Sequence, residues 1–375
     1  MAVPFSPDLS TINSLTLTPL VRRSLDRPDA ELIDWKSVAL QGSSFNSAIY
    51  RFSGNALDGG LVLPWSLILK IVTSPDGSDD PTSERYWKRE ALAFQSGLFD
   101  KLPPMICAPR CFGIVEPSGL ETWLWMEELV DALPGRWSLD QYGNVARHLG
   151  RFNAACCGEP SLQTQPWLAK GRLRTWVRDA PPEVPPEVRH HPLVALCWPE
   201  DIDAWMQRVR AQQETWLAAM ERQPQTLSHL DAFRRNIFAR RDKQGEMQSV
   251  LIDWGFVGSA APGEEIAPLV AASLSYMEVD FSQAKALDQV VFEGYLEGLR
   301  QSGWRGDPRV VRSTYAAASI LRYCIGVSGV AFMIADEKQP GLLEQAFGHP
   351  LEELVEVWTK QMRFLFDLNA DVSFG

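Results

Sequence analysis

The spacing of apolar positions changes character near residue 130. Before it, Ile49-Tyr50-Arg51-Phe52 alternates and Trp65-Ser66-Leu67-Ile68-Leu69-Lys70-Ile71-Val72 is mostly apolar. Both patterns predict strands within 33–72, separated by a turn-rich stretch from Ser53 to Gly60. A polar loop, 74–82, follows, and Ser83 is the predicted N-cap of a helix running to about Phe99. Residues 110–116 and 121–129 predict a further hairpin. Past Pro134-Gly135 the period becomes helical: Ser138 caps a run with Leu139, Tyr142, Val145, Leu149, Phe152 and Cys156 on one face. Helices are also predicted at 200–222, 281–301, 308–335 and 350–368. These elements predict an α+β chain of two lobes. A small antiparallel-sheet lobe with one helix covers 1–128, and a larger, mainly helical lobe covers 129–375. A Pro-rich, variable insert falls at about 160–226.

Length agrees, since 375 residues suit two such units. With 45% hydrophobic residues the chain can build a core, which excludes a mostly disordered protein. The net charge of −11 lacks the basic footprint of a nucleic-acid binder, so no nucleic-acid partner is expected. The N-terminus has no basic start followed by an apolar run, so no leader is predicted. Tyr323 to Ala335, between Arg322 and Asp336, is too short to span a bilayer and is expected to be a buried helix. A cytoplasmic protein without a membrane partner is the expectation. The six cysteines form no Cys-x-x-Cys and suit reduced, buried thiols, while His190-His191 has no ligand set around it.

Candidate chemistry concentrates between Leu227 and Gly258. His229-x-Asp231-x4-Asn236 is followed by an apolar strand ending in Asp253-Trp254-Gly255. This layout resembles the catalytic loop and metal-binding Asp-x-Gly of kinases. Asn236 and Asp253 offer the hard oxygen donors that Mg2+ prefers. Asp231 is a carboxylate suited to accept a hydroxyl proton, and His229 would hold the loop by bonding backbone. Searched on the same plan, the first half supplies Lys70 on an apolar strand as a phosphate anchor. Glu90, 20 residues on, is its expected partner, preferred over Glu84 at the predicted helix start. Gly42, Ser43 and Ser44 occupy the place of a phosphate-covering loop, without a Gly-x-Gly-x-x-Gly motif. The backbone of Glu127 and Leu129, in the connection between the lobes, is the expected contact for a nucleotide base.

Together these residues resemble the aminoglycoside phosphotransferase and choline kinase-like group, which shares the protein-kinase fold. The resemblance covers about 35–335. It implies that Asp231 is the catalytic base, that Asn236 and Asp253 bind Mg2+, and that ATP or GTP is the co-substrate. Gly263-Glu264-Glu265-Ile266-Ala267-Pro268-Leu269 is similar to the group's Gly-Asp-Pro…Asp-Leu-Ala segment, with glutamates for aspartate. Leu230 stands where the group usually has glycine, Phe233 where it has His or Lys, and Trp254 where Phe is usual. Arg235, four residues after Asp231, is a candidate to steady the transferring phosphoryl group. The implied acceptor is a small hydroxylated molecule. Trp167, Trp176, Trp198, Trp205 and Trp216 in the insert offer an aromatic wall. Glu200, Asp201, Asp203, Glu264, Glu265 and Glu278 offer acids for an amine, as in aminoglycosides or amino alcohols. The competing readings are a pseudokinase that binds a nucleotide or partner without transfer, and a protein kinase. The chain has no Ala-Pro-Glu after Gly255, which counts against the protein kinase.

Overall fold

The fold comes from a computed structural model that describes residues 7–40, 46–157, 165–181, 183–326, 328–336 and 340–374. Gly42, Ser43 and Ser44 lie outside the described residues. Five antiparallel strands form the N-terminal sheet: β1 (Glu31–Ala39), β2 (Ser47–Asp58), β3 (Leu61–Thr73), β5 (Cys111–Ser118) and β6 (Glu121–Glu127), in the order β1-β2-β3-β6-β5. The pleat divides β3 into two faces. Trp65, Leu67, Leu69 and Ile71 are buried under a helix, α1 (Ser14–Leu25), through its Leu17, Leu20 and Val21. Ile68, Lys70 and Val72 point the other way, toward the helical lobe.

Three expectations for this lobe are corrected. Helix α1 was not anticipated; Pro19 lies within it and its first turn is Ser-Leu-Thr-Leu, a pattern that does not advertise a helix. The predicted turn from Ser53 to Gly60 is mostly strand: β2 pairs with β3 residue by residue until Asp58 meets Leu61. The turn itself is Gly59-Gly60, both at positive φ (+54° and +84°), as a tight hairpin requires.

The helix expected from Ser83 starts later, as α2 (Arg89–Gln95). Side-chain bonds fold 83–88 back onto the preceding loop instead. Tyr86 Oη and Lys88 Nζ reach Asp79, and Trp87 Nε1 donates to Ser78 O. A short strand, β4 (Ile106–Cys107), then leaves the N-terminal sheet and pairs in parallel with β10 (Met247–Leu251), which pairs with β9 (Ile237–Arg241).

In the helical half, α3 (Leu139–Cys156) starts at Ser138 with the full capping box to Gln141. It packs on a helix at Ala284–Gln301 through glycines. A Cβ on Gly298 would lie 2.1 Å from Arg147 O, and one on Gly150 2.1 Å from Tyr295 O, so the backbones touch directly. The segment Pro308–Ala335 is long and apolar enough, by length and composition, to cross a membrane, yet Tyr315, Ile320, Leu321 and Ile325 are buried in the helical core. It is not one helix. An α-helix at Pro308–Ile320 passes into a π-helical turn at Leu321–Ile325, and Val330–Ala335 follows as a separate helix. Among the described residues, no cluster of three His, Cys, Asp or Glu side chains suits a metal ion, and all six cysteines are free thiols.

Candidate active site

The β9–β10 hairpin brings the two halves of the motif together. Ile237 pairs with Leu251, and Ile252 N–H donates to Asn236 O at 3.0 Å, so Asn236 and Asp253 leave the hairpin side by side. His229 joins the preceding loop to this pair. Its Nε2 lies 2.9 Å from Ile252 O, and its Nδ1 accepts Asp231 N–H at 3.2 Å. With Nδ1 accepting, Nε2 is the donor and the ring is neutral. Burial pushes its pKa down, against the pull of Asp231 and Asp253. The ring also packs edge-on against Trp254, with centroids 4.6 Å apart. His229 thus holds backbone, as the sequence suggested.

Glu265 completes the loop from behind. It is fully buried, and its Oε2 accepts His229 N–H at 2.8 Å and Leu230 N–H at 3.4 Å. Leu230 has φ +66°, the left-handed region where a Cβ is strained, which gives a physical reason for the glycine usual there. Burial pushes the Glu265 carboxyl up to about 7, opposed by these backbone donors. Its neighbour Glu264 is also pushed up to about 7 by burial.

The Asp231 carboxylate faces two partners, Asn236 and Arg322. Asn236 Nδ2 donates to its Oδ2 at 2.9 Å and to its carbonyl at 3.0 Å. Arg322, from the π-helical turn, donates to its Oδ1 at 2.5 Å and to Leu230 O at 2.5 Å. Sequence reasoning missed Arg322. Arg235 turns elsewhere: its Nε meets Glu278 Oε1 at 2.9 Å, its Nη2 meets Phe347 O, and its guanidinium lies over Tyr276. The 3-10 turn at Arg234–Asn236 sends successive side chains in different directions, so Asn236 faces Asp231 while Arg235 does not.

Lys70 ties the sheet to the motif. Its Nζ lies 2.5 Å from Glu90 Oε2 and 2.7 Å from Asp253 Oδ1. Burial pulls the ammonium down, but the two carboxylates together hold it above the ordinary lysine value. Lys70 in turn is the main cause holding the Asp253 carboxyl low, and Asp253 itself sits at φ +62°. Glu90 Oε1 also accepts Trp254 N–H at 3.3 Å. Glu84, the alternative partner, pairs with Arg178 instead.

Asn236 and Asp253 fit a magnesium ion. With Asn236 Nδ2 bound to Asp231, its amide oxygen is the group it can offer, beside a carboxylate held ionised. Two protein oxygens are enough for an ion that also takes substrate phosphate oxygens. At the lobe connection, Glu127 N–H is bonded to Arg110 O, and its carboxylate meets Arg240 at 2.8 Å, so any base contact from Glu127 falls to its carbonyl. Leu129 is half-buried beside it.

Of the insert's tryptophans, Trp167, Trp205 and Trp216 are buried in the core, whereas Trp176 lies under Arg322. Asp201, Asp203 and Glu278 are paired with Arg363, Arg189 and Arg235.

Comparison with known proteins bears on the fold and the family. No curated protein sequence matches the chain significantly. Among solved structures, the GDP complex of wild-type aminoglycoside 2'-phosphotransferase-IIIa superposes with a TM-score of 0.52 at 12% identity, covering 94% of this chain and 99% of that one. A microcompartment-associated aminopropanol kinase superposes with a TM-score of 0.50 at 14% identity, covering 96% and 98%. These likenesses establish the kinase-like fold. The model of the phosphotransferase enzyme family known as APH matches residues 65–305, which include every motif described above from Lys70 to Glu265. The chain belongs to this phosphotransferase family.

Proposed function

We propose that the protein transfers the γ-phosphoryl group of ATP or GTP to a hydroxyl of a small molecule. The observation that carries this reading is the ion-pair chain Glu90–Lys70–Asp253. It joins two residues of the sheet lobe to the Asp-x-Gly of the hairpin and points a buried cation at the place where phosphates would lie. Lys70 holds the phosphates and Glu90 orients Lys70. Asn236 and Asp253 hold Mg2+, which when bound neutralises charge on the phosphate oxygens. Asp231 takes the proton of the acceptor hydroxyl as its oxygen bonds to phosphorus and the bond to the bridging oxygen breaks. The nucleoside diphosphate then leaves. Residues 1–128 serve as the nucleotide lobe, with the Glu127–Leu129 backbone at the base; 129–375 carry the acceptor.

The test is nucleoside diphosphate release from Mg-ATP and Mg-GTP across hydroxylated acceptors, with Asp231→Asn as the control. Acceptor-dependent release should fall roughly 10²–10⁴-fold in the variant, the usual contribution of a general base, while nucleotide binding persists. Near-full activity in Asp231→Asn would remove Asp231 as the base. Absence of Mg-nucleotide binding by the unmodified protein would overturn the reading as a whole.

A further inference from the structure

Arg322 bonds Asp231, Arg172 lies near both Arg322 and Arg89, and the partners of the three arginines do not balance them. Arg89 is buried and donates only to carbonyls, those of Trp167, Tyr86 and Ser83. Arg172 reaches the Glu84 carbonyl at 3.5 Å and lies over the rings of Phe256 and Trp176, at 4.0 and 5.4 Å. Among the described residues, neither has a carboxylate within ion-pair distance. Arg322 alone has one, Asp231, and it also lies 4.1 Å over Trp176. Glu264, on the same wall, is pushed up to about 7 by burial, so near neutrality it carries only part of a negative charge. The local excess is positive in a chain whose net charge is −11. Burial, and then the neighbouring Arg89 and Arg322, push the Arg172 guanidinium down to about 10.

Two donors are left over. The Nε atoms of Arg172 and Arg322 are both buried without a hydrogen-bond partner. Both arginines line one narrow cleft of about 20 Å3, with Trp176, Leu230 and Glu264. That space is on the order of one or two water-sized groups, room for the oxygens of a carboxylate and too small for a sugar ring. The π-helical turn, a feature common at functional sites, is what carries Arg322 into this cleft from an otherwise apolar segment. A buried cation pair with free donors beside a small cleft suits a carboxylate. An ammonium would meet like charge there, and Asp201, Asp203 and Glu278, acids that might have met it, are already paired.

We propose that Arg172 and Arg322 form an anion subsite for the phosphoryl acceptor, so that the acceptor is a compact hydroxylated carboxylic acid rather than an amine. The proposal rests on Asp231 being the base for the acceptor hydroxyl, as inferred above. Arg322 then has two parts: it positions Asp231 through Oδ1, and it shares the carboxylate with Arg172.

The test uses the full chain with Mg-ATP or Mg-GTP and acceptors matched in size: glycerate, its carboxamide, glycerol and ethanolamine. Diphosphate release is measured, and binding is followed by calorimetry in the presence of a non-hydrolysable nucleotide. Glycerate should exceed its carboxamide at least about tenfold in kcat/KM or in affinity. Arg172→Gln should weaken glycerate about ten- to a hundredfold, the range of a charge-assisted bond, with nucleotide affinity retained and Arg172→Lys recovering part of the loss. Preference for ethanolamine or glycerol would overturn the subsite. So would equal use of glycerate by Arg172→Gln, or no saturable glycerate binding by a protein that still binds Mg-nucleotide. Loss of nucleotide binding in the unmodified protein would instead be the failure of the phosphotransferase reading, seen in a separate measurement.

Discussion

Glu265 offers a stability test of how the catalytic loop is held. Its carboxyl is fully buried, accepts two backbone N–H groups of the loop, and is pushed up to about 7 from an ordinary value of 4.5. A group whose folded-state pKa is raised contributes stability that is fully present below the unfolded value and lost as pH rises through the folded one. Its contribution is therefore complete below pH 4.5 and gone above about 7. Two and a half units at 1.36 kcal/mol each make this about 3 kcal/mol. Glu265→Gln keeps an oxygen to accept the His229 and Leu230 N–H groups but cannot ionise. Urea unfolding of both proteins from pH 4.5 to 8 should show the wild type losing about 3 kcal/mol relative to the variant. The subtraction matters because other groups titrate nearby. Glu264 shifts in the same direction, His148 and His229 in the opposite one, and all three remain in both proteins. A difference that stays flat across this range would refute the claim that Glu265 is held against its charge. Glu265→Ala is the harsher change: it leaves two buried donors unmet, at about 1–3 kcal/mol each, and should lower kcat as Leu230 relaxes from its left-handed conformation.

The other predictions concern binding, packing and acid stability. Lys70→Met should abolish Mg-nucleotide binding by calorimetry. It should also destabilise the fold by about 3–5 kcal/mol, because Glu90 stays buried without its partner. Gly298→Ala places a Cβ 2.1 Å from Arg147 O, so the helices at Leu139–Cys156 and Ala284–Gln301 must separate; a loss of about 1–3 kcal/mol or more should appear as a lower Tm. His148, near Ser249 Oγ, is pushed down to about 4 by burial and by Arg151 and Arg147. Its depressed pKa costs stability as pH falls from about 6.5 toward 4, by up to about 3 kcal/mol, and His148→Gln should remove that part of the acid sensitivity in urea titrations.

Where pairing partners and periodicity agree, the elements were readable from sequence. Ser138 and Gln141 announce their helix because the cap is local and its apolar face repeats cleanly. Ser53-Gly54-Asn55 reads as a turn for an equally local reason, its composition, and is strand for a non-local one. Gly54 sits where a Cβ would fall 2.1 Å from Asp34 O, and Asn55 donates to the Asp34 carboxylate across β1. Those residues serve a close strand approach, and only the hairpin partner reveals it. Ser83 fails as a helix start because Asp79 draws Tyr86 and Lys88 back onto the loop, a competition that propensity does not contain.

The site divides along the same line. Asp231, Asn236 and Asp253 were legible because one hairpin fixes their spacing. Lys70 was legible by a different argument: a charge inside an apolar strand is costly unless something meets it. That argument applies equally to Arg322, which interrupts the apolar run from Ala316 to Ile325 and was read only as the edge of a buried helix. Applied there, it would have asked which carboxylate answers Arg322, and the structure answers Asp231. Arg172 gave no such signal, since it shares its short helix with Arg174 and Arg178, which pair with surface glutamates. The two acids of the motif are thus each met by a cation from an apolar element remote in sequence: Asp253 by Lys70 of the sheet, Asp231 by Arg322 of the π-helical turn. Lys70 has a second carboxylate, Glu90, to balance it; among the described residues Arg322 has no second one, and Arg172 beside it has none within ion-pair distance. That asymmetry separates the proposed nucleotide side of the cleft, where Lys70 is met twice, from the proposed acceptor side, where an acidic group from the substrate would complete the charge.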